Sequence, residues 1–230
     1  MTIFTYLAAE EFADSLMNID LVGAELSTPA ALMSARLPIT NAVSCASVVL
    51  LSGYFENFLK SIIKEFINDV NGLSLPRTNF HDDLIRGHYS GGADALAWAA
   101  KVDKANGNFA KSDDLSRRLG SCVGGGPITL AWESFANTKS NPGPDVVASL
   151  LRGLMIKGGW KEINSLTLQY GRLDTFLTSF MEMRNICAHT GRHSTPPSGI
   201  NIREYVATFL ALCECLDMLL ALRFQELSNP

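Results

Sequence analysis

The chain of 230 residues is poor in charge and has no basic excess. Charged residues make up 18% of it, and 19 Lys and Arg stand against 23 Asp and Glu, for a net charge of −4. Such a protein is poorly suited to coating nucleic acid without sequence preference, although it can carry a local basic site. No basic region precedes an apolar run at the N-terminus, so no signal peptide is predicted.

Cysteine pairs and nucleotide-binding motifs are also missing. The five cysteines form no C-x-x-C pair and are odd in number, which favours apolar core positions in a reducing cytosol over a disulfide framework. The glycines at 124–126 lack the flanking residues of G-x-G-x-x-G or G-x4-G-K-[ST], so a plain loop is predicted there. His81, Asp82, Asp83 and His88 have no spacing that places three of them on one face. We therefore expect no metal and no cofactor.

The most apolar stretch, residues 205–224, is not predicted to span a membrane. Glu214, Asp217 and Arg223 interrupt it, which indicates a core helix of a cytoplasmic protein.

Apolar residues recur at intervals of three and four, and strand-like alternation persists nowhere. This predicts an all-α fold, an up-and-down four-helix-type bundle in one domain, 1–230. We divide it into N-terminal helices (1–72), an insert of short helices and loops (73–145), and a motif helix with a C-terminal helix (146–230). The predicted helices are about 2–17, 41–72, 79–87, 93–104, 112–119, 129–137, 145–156, 163–189 and 202–227. The apolar positions of the second helix include Val43 and Leu50, and the motif helix is given a core stripe of Leu166, Tyr170, Leu173, Leu177 and Phe180.

The motif helix ends in a group of side chains that could bind an anion and transfer a proton. Thr190 and Gly191 give a helix stop, which places His189 in the last turn, where the carbonyl ends of the helix favour an imidazolium. Asn185 lies one turn before His189 on the same face, and Arg184 is turned about 100° from Asn185. A permanent cation, an amide and a proton-exchanging ring together suit a phosphodiester.

The local charge agrees with an anion site. Residues 152–203 contain seven Lys or Arg and three acids, so this stretch is +4 while the other 178 residues carry −8. A solvated helix face would give a similar imbalance.

Three blocks of the sequence resemble the HEPN superfamily, in particular its RiboL-PSP type. Residues 184–189 resemble its motif R-N-x3-H, Leu51-Ser52-Gly53-Tyr54-Phe55-Glu56 resembles its early helix, and Asn141-Pro142-Gly143-Pro144 resembles the segment before its motif helix. The blocks stand in the family's order and span most of the chain.

This resemblance implies an RNA endonuclease that needs no metal and works by 2′-OH transesterification, as part of a toxin or phage-defence system. His189 would exchange protons, Arg184 would hold the scissile phosphate, and Asn185 would orient His189 or donate to a phosphate oxygen. The family also implies a homodimer with a composite site, with an antitoxin or nucleotidyltransferase as a possible partner. Substrate contacts are further assigned to residues in or beside these blocks, namely Arg192, His193 and Tyr54.

Glu56 has two interpretations. It begins a row with Lys60 and Lys64 at intervals of four, which is typical of a solvated helix face. It could instead turn inward as the partner of Arg184, as an early-helix acid does in many HEPN nucleases.

Two alternatives to a nuclease remain open at this stage. Arg184 could form a core salt bridge while His189 only caps its helix. The chain could also be a non-catalytic HEPN module that binds nucleotide or RNA, or that assembles with a partner.

Overall fold

The computed structural model describes residues 3–124, 126–138, 141–191 and 193–229. These residues form eight α-helices and three short 3-10 turns, with no strand among them. The helices are α1 (Leu7–Leu26), α2 (Leu37–Gly72), α3 (Asp82–Asn106), α4 (Ala110–Ser121), α5 (Pro144–Gly153), α6 (Trp160–Leu166), α7 (Leu173–Thr190) and α8 (Gly199–Ser228). The all-α prediction is confirmed.

Four helices, α1, α2, α7 and α8, form an up-and-down bundle. Helix α1 packs on α2 and α8, and α2 also packs on α7 and α8. The core between them is aromatic: the ring centroid of Phe12 lies 4.7 Å from that of Phe58, and those of Phe180 and Phe209 lie 4.8 Å apart. On the α2–α7 side, the Ser52 hydroxyl lies 3.9 Å from the Met181 sulfur. These contacts join neighbouring helices that run in opposite directions.

Two helices, α2 and α8, are long and apolar enough to cross a membrane by length and composition alone. In α8, 56% of the most apolar window is buried inside the protein, including Phe209, Leu212 and Leu216. This agrees with the predicted core helix over 205–224. In α2, only 33% of the corresponding window is buried, so much of that helix presents apolar surface outward.

The start of α1 is held by a carboxylate from α8. The buried Asp217 accepts hydrogen bonds from the backbone N–H groups of Thr5 (2.9 Å) and Tyr6 (2.9 Å). Tyr6 is the N-cap residue and supplies no side-chain cap itself. The Ala8 N–H, inside the first turn, donates to Glu65 of α2 at 3.2 Å. Since the first N–H groups of a helix have no intrahelical acceptor, carboxylates from two helices hold the start of α1, and Asp217 does so from 211 residues away.

The insert differs from its prediction of several short helices. Residues 82–106 form one helix, which runs without interruption through Gly91 and Gly92. A Cβ on Gly91 would lie 1.9 Å from the carbonyl oxygen of Ser134, and one on Gly92 would lie 2.4 Å from Leu119. These glycines therefore permit close packing of the helix against its neighbours rather than breaking it.

His88, on the same helix α3, is fully buried. Its Nε2 accepts a hydrogen bond from the Ala131 N–H (2.8 Å), so the ring proton is on Nδ1, which lies 3.5 Å from the Cys122 sulfur. Its ring also stacks on Phe135, with centroids 5.8 Å apart. Burial, and secondarily the charge of Arg118, lower the pKa of His88 from 6.5 to about 4, so the imidazole is a neutral core group.

The predicted motif helix, 163–189, is in fact interrupted. Helix α6 ends at Leu166, a 3-10 turn follows at Leu168–Tyr170, and α7 begins only at Leu173. Gly171, at φ 73° and ψ −149°, makes the break. Leu166 and Tyr170 are consequently exposed, and their assignment to the core stripe was wrong. Leu173, Leu177 and Phe180 are buried as predicted.

Candidate functional site

The end of α7 has the geometry that its sequence predicts. Gly191 adopts the left-handed conformation at φ 64°, and its N–H donates to the Cys187 carbonyl (2.9 Å), which closes the helix. The Thr190 hydroxyl donates to the Ile186 carbonyl (2.7 Å). His189 therefore lies in the last turn, and its side chain is exposed.

Arg184, five residues earlier, faces inward and is only half-buried. Its Nη1 donates to the Asn185 side-chain oxygen at 3.1 Å. Its Nε is buried and has no hydrogen-bond acceptor in the part of the chain that the structure describes. A buried donor without an acceptor costs free energy, so an anion bound at Nε would stabilise this guanidinium.

Glu56 of α2 lies near Arg184 of α7, at the contact between these two helices, which we call the seam. Its Oε1 accepts from Lys60 Nζ (2.6 Å) and from the Thr138 hydroxyl (2.8 Å). Burial raises the pKa of the Glu56 carboxyl, but these two hydrogen bonds and the charges of Lys60 and Arg184 outweigh it, so the net pKa lies below its usual value. Both interpretations of Glu56 thus apply in part, since it pairs with Lys60 on its own helix and lies within electrostatic reach of Arg184.

No ion pair joins Glu56 to Arg184 among the described residues, and Glu56 Oε1 instead accepts from Lys60 and Thr138. Thr138 lies in the insert, three residues before the block Asn141-Pro142-Gly143-Pro144, and no spacing in the sequence indicates its contact with Glu56. A core salt bridge, one of the alternatives for Arg184, is therefore not what the described side chains form.

Two thiols lie close together between α2 and α7. Cys187 of α7 and Cys45 of α2 are both buried, and burial together with the neighbouring Cys45 thiol raises the pKa of Cys187 to about 12. The Cys187 thiol is accordingly protonated at neutral pH and contributes packing rather than a nucleophile.

The loop after α7 is anchored back onto α2. The buried Ser44 hydroxyl donates to the Pro197 carbonyl, and Ser198 and Asn201 form a reciprocal capping box at the start of α8. Within this loop, His193 is half-buried, and its Nδ1 accepts from the Thr195 N–H at 3.0 Å. Arg192, which was assigned to substrate binding, lies outside the described residues.

Tyr54 is placed away from the motif. It stands two residues before Glu56, which turns its side chain about 200° around α2. It lines a small recess between α1 and α2 with Glu11 and Ser15. The structure therefore brings together Arg184, Asn185 and Glu56, with His189 one turn beyond, and separates Tyr54 from them.

Arg184 and His189 point to different sides of α7. Five residues along a helix correspond to a turn of about 140°, so the cation faces the seam and the imidazole faces solvent. No hydrogen bond links the two among the described residues, and Asn185 lies between them on the helix surface. A ligand reaching both side chains must lie along the outer edge of α7.

An apolar face of α2 is exposed toward solvent. Ile39, Val43 and Leu50 are exposed, and Ala46 and Gly53 lie on the same helix face. Val43 and Leu50 are among the apolar positions that predict α2, but they lie outside the core. The apolar pattern of α2 is wide enough to cover two faces, and only one of them packs inside this chain.

Among the described residues, no three His, Cys, Asp or Glu side chains are grouped so that they could hold a metal ion. His88 contacts Cys122 and Ala131, while His81 caps α3 by accepting from the Asp83 N–H (3.2 Å). The chemistry available at the end of α7 is therefore that of a cation, an amide and an imidazole.

An all-α bundle with an R-N-x3-H sequence closing the third of its four bundle helices, α7, defines a HEPN-type domain. The sequence model of the RiboL-PSP-HEPN family matches residues 29–221. The chain belongs to this family. No curated protein and no solved structure matches it.

Proposed function

We propose that this protein is a metal-independent endoribonuclease that cuts RNA at the end of α7. The observation that carries the proposal is the buried Arg184 Nε, which has no acceptor among the described residues and lies beside Asn185, one turn from the exposed His189. A phosphodiester oxygen is the anion whose geometry matches the guanidinium fork.

The reaction is a transesterification within RNA. The ribose 2′-oxygen forms a bond to the adjacent phosphorus while the bond to the 5′-oxygen of the next nucleotide breaks, giving a 2′,3′-cyclic phosphate and a free 5′-OH. His189 moves the proton between the 2′-OH, the solvent and the leaving oxygen, and Arg184 balances the charge that develops on the phosphorane. Asn185 holds the guanidinium through its side-chain oxygen and leaves its NH2 group for the substrate.

Incubation of the purified protein with RNA in EDTA tests this chemistry. We expect cleavage to continue without divalent metal, to give cyclic-phosphate ends, and to stop when the 2′-OH at the cut is replaced by hydrogen. His189→Ala, which removes the proton carrier, serves as the inactive control. Binding of RNA without products would support the non-catalytic module instead, and cleavage of the 2′-deoxy strand would contradict the transesterification.

We further propose that the site is completed by a second copy of the chain. The exposed apolar face of α2 gives that copy a surface to pack on. His189 points to solvent, so residues of the second copy would form the opposite side of the site. Two copies related by a two-fold axis would double the local positive charge, which helps an acidic protein handle RNA.

Leu50→Glu tests the second copy because it places a charge in the apolar face of α2. We expect a monomer by light scattering and loss of cleavage. Leu222→Glu on α8 is the matched control, since Leu222 is 50% exposed and Leu50 is 48% exposed, and it should keep both the dimer and the activity. A Leu50→Glu monomer that still cuts RNA would contradict the composite site.

The family resemblance also supports a cytoplasmic toxin or phage-defence role, with an antitoxin or nucleotidyltransferase as partner. Growth arrest on expression in bacteria that depends on His189 would support this role, and normal growth would oppose it.

A further inference from the structure

The far end of the α3–α4 hairpin is a second chemical feature of the molecule, separate from the motif. The first half of α3 packs into the main core through Leu84 and Ile85. Its second half packs on α4 through a small cluster of its own, which includes Ala99 and Leu115. The residues at 98–111 therefore form the outer end of this hairpin, which we call the hairpin tip.

Two large aromatic side chains of the hairpin tip are exposed. Trp98 is 58% exposed and Phe109 is 75% exposed. The ammonium group of Lys111 lies over the Trp98 ring, 5.1 Å from its centre, in a cation–π contact. Apart from this contact, most of the area of both rings is exposed and available to a partner.

The solvated charge of the hairpin tip is positive. Lys101, Lys104 and Lys111 are all exposed. The one acid among residues 98–111, Asp103, is buried and accepts hydrogen bonds from the Lys111 N–H (3.2 Å) and the Ser112 N–H (2.7 Å). Asp103 thus serves as the cap of α4, and the three lysine charges face solvent in a protein whose net charge is −4.

We propose that the hairpin tip binds single-stranded RNA, with bases stacking on Trp98 and Phe109 and phosphates held by the three lysines. Exposed rings flanked by cations are the combination that binds unpaired nucleotides without sequence preference, because every base has a flat face. Lys101 lies three residues after Trp98 and hence beside it on the helix. Asp94, one turn before Trp98, is an exposed acid and bounds the positively charged surface on that side. RNA as the ligand follows from the proposed function, and the tip would retain the strand while the end of α7 cuts it.

Binding of a fluorescent single-stranded oligoribonucleotide of about a dozen nucleotides to the full-length protein tests the proposal. A His189→Ala background prevents cleavage during the titration. We expect Trp98→Ala to weaken binding about 5- to 100-fold and the tryptophan emission of the parent protein to be quenched by RNA. Tyr89→Ala is the control, because Tyr89 is an exposed aromatic residue of the same helix, outside the tip, and it should bind RNA as the parent does.

The lysines are tested by the salt dependence of the same titration. Replacing Lys101, Lys104 and Lys111 with glutamine should lower the slope of log affinity against log salt by about 2, since each phosphate contact on a single strand contributes about 0.7. Replacing the exposed Lys157 and Lys161 with glutamine should leave the slope unchanged.

Several outcomes would overturn this proposal: equal RNA affinity of Trp98→Ala and its parent, preference for duplex RNA, or binding of anionic vesicles in place of RNA. The test is separable from the nuclease assay. If no RNA is cut in EDTA but Trp98→Ala still loses binding, the nuclease fails and the hairpin tip stands. If tip variants bind RNA normally while His189-dependent cleavage persists, only the tip proposal fails.

Discussion

Replacing Arg184 with methionine is expected to abolish RNA cleavage while making the protein harder to unfold. The guanidinium is half-buried, and its Nε has no acceptor among the described residues, so the folded protein carries an uncompensated donor until substrate binds. Methionine removes that donor and keeps an unbranched apolar chain. We expect a gain of about 1 kcal/mol in the free energy of unfolding and a loss of about 10²- to 10³-fold or more in kcat.

Urea denaturation and the EDTA cleavage assay measure the two effects of this substitution. Arg172→Met is the control, since Arg172 is an exposed arginine at the start of the same helix and pairs with Asp174. Its effect on stability should stay within about 0.5 kcal/mol, with cleavage retained. A clear loss of stability in Arg184→Met would show that the guanidinium is a structural ion-pair partner, and the phosphate-binding role would then lose its support.

The second large effect concerns His88 and the pH dependence of folding. In the folded state its pKa is lowered to about 4 from the ordinary 6.5, first by burial and then by the charge of Arg118. As the pH falls from 6.5 to about 4, the unfolded chain takes up a proton at His88 and the folded chain does not. Stability therefore falls over that interval, by about 3 kcal/mol in all, and this contribution levels off below it.

The free energy of unfolding of the parent and of His88→Gln, measured between pH 7 and pH 4 in steps, isolates this contribution. Glutamine can accept the Ala131 N–H through its side-chain oxygen but does not titrate. All other ionisable groups are shared by the two proteins. The free energy of unfolding of the parent should therefore fall relative to that of His88→Gln as the pH is lowered. Parallel curves would show that His88 is protonated in the folded state as readily as in the unfolded chain.

The sequence alone was sufficient for the parts of the fold that local rules govern. The left-handed Gly191 ends α7 where a glycine stop was predicted, and Leu173, Leu177 and Phe180 line the core at their expected spacing. The long α2 and α8 also follow from apolar periodicity, because each buries a continuous face against the bundle.

The errors arise where the meaning of a residue depends on its tertiary neighbours. Gly91 suggests a break in isolation, but the carbonyl of Ser134 is pressed so closely against it that only glycine fits inside the helix. Leu166 and Tyr170 have helical spacing to Leu173 in the sequence. The helix is broken at Gly171, however, so this spacing does not place them on the core face of α7.

The candidate site was predictable only in part, for the same reason. Arg184, Asn185 and His189 follow from the motif, and their relative angles follow from helix geometry. The hydrogen bond from Thr138 to Glu56 joins residues 82 positions apart, and the exposure of the α2 face depends on which face packs inside. Neither could be derived from spacing.

The contact of Asp217 with the start of α1 has a consequence for how the chain folds. Helix α1 lies against α8, and the N–H groups of Thr5 and Tyr6 find their carboxylate acceptor in that helix, about two hundred residues later in synthesis. Closing so long a loop costs chain entropy and slows the search for the native state. The backbone just before α1 therefore gains its acceptor only after α8 has been synthesised, whereas the Ala8 N–H can already pair with Glu65 of α2.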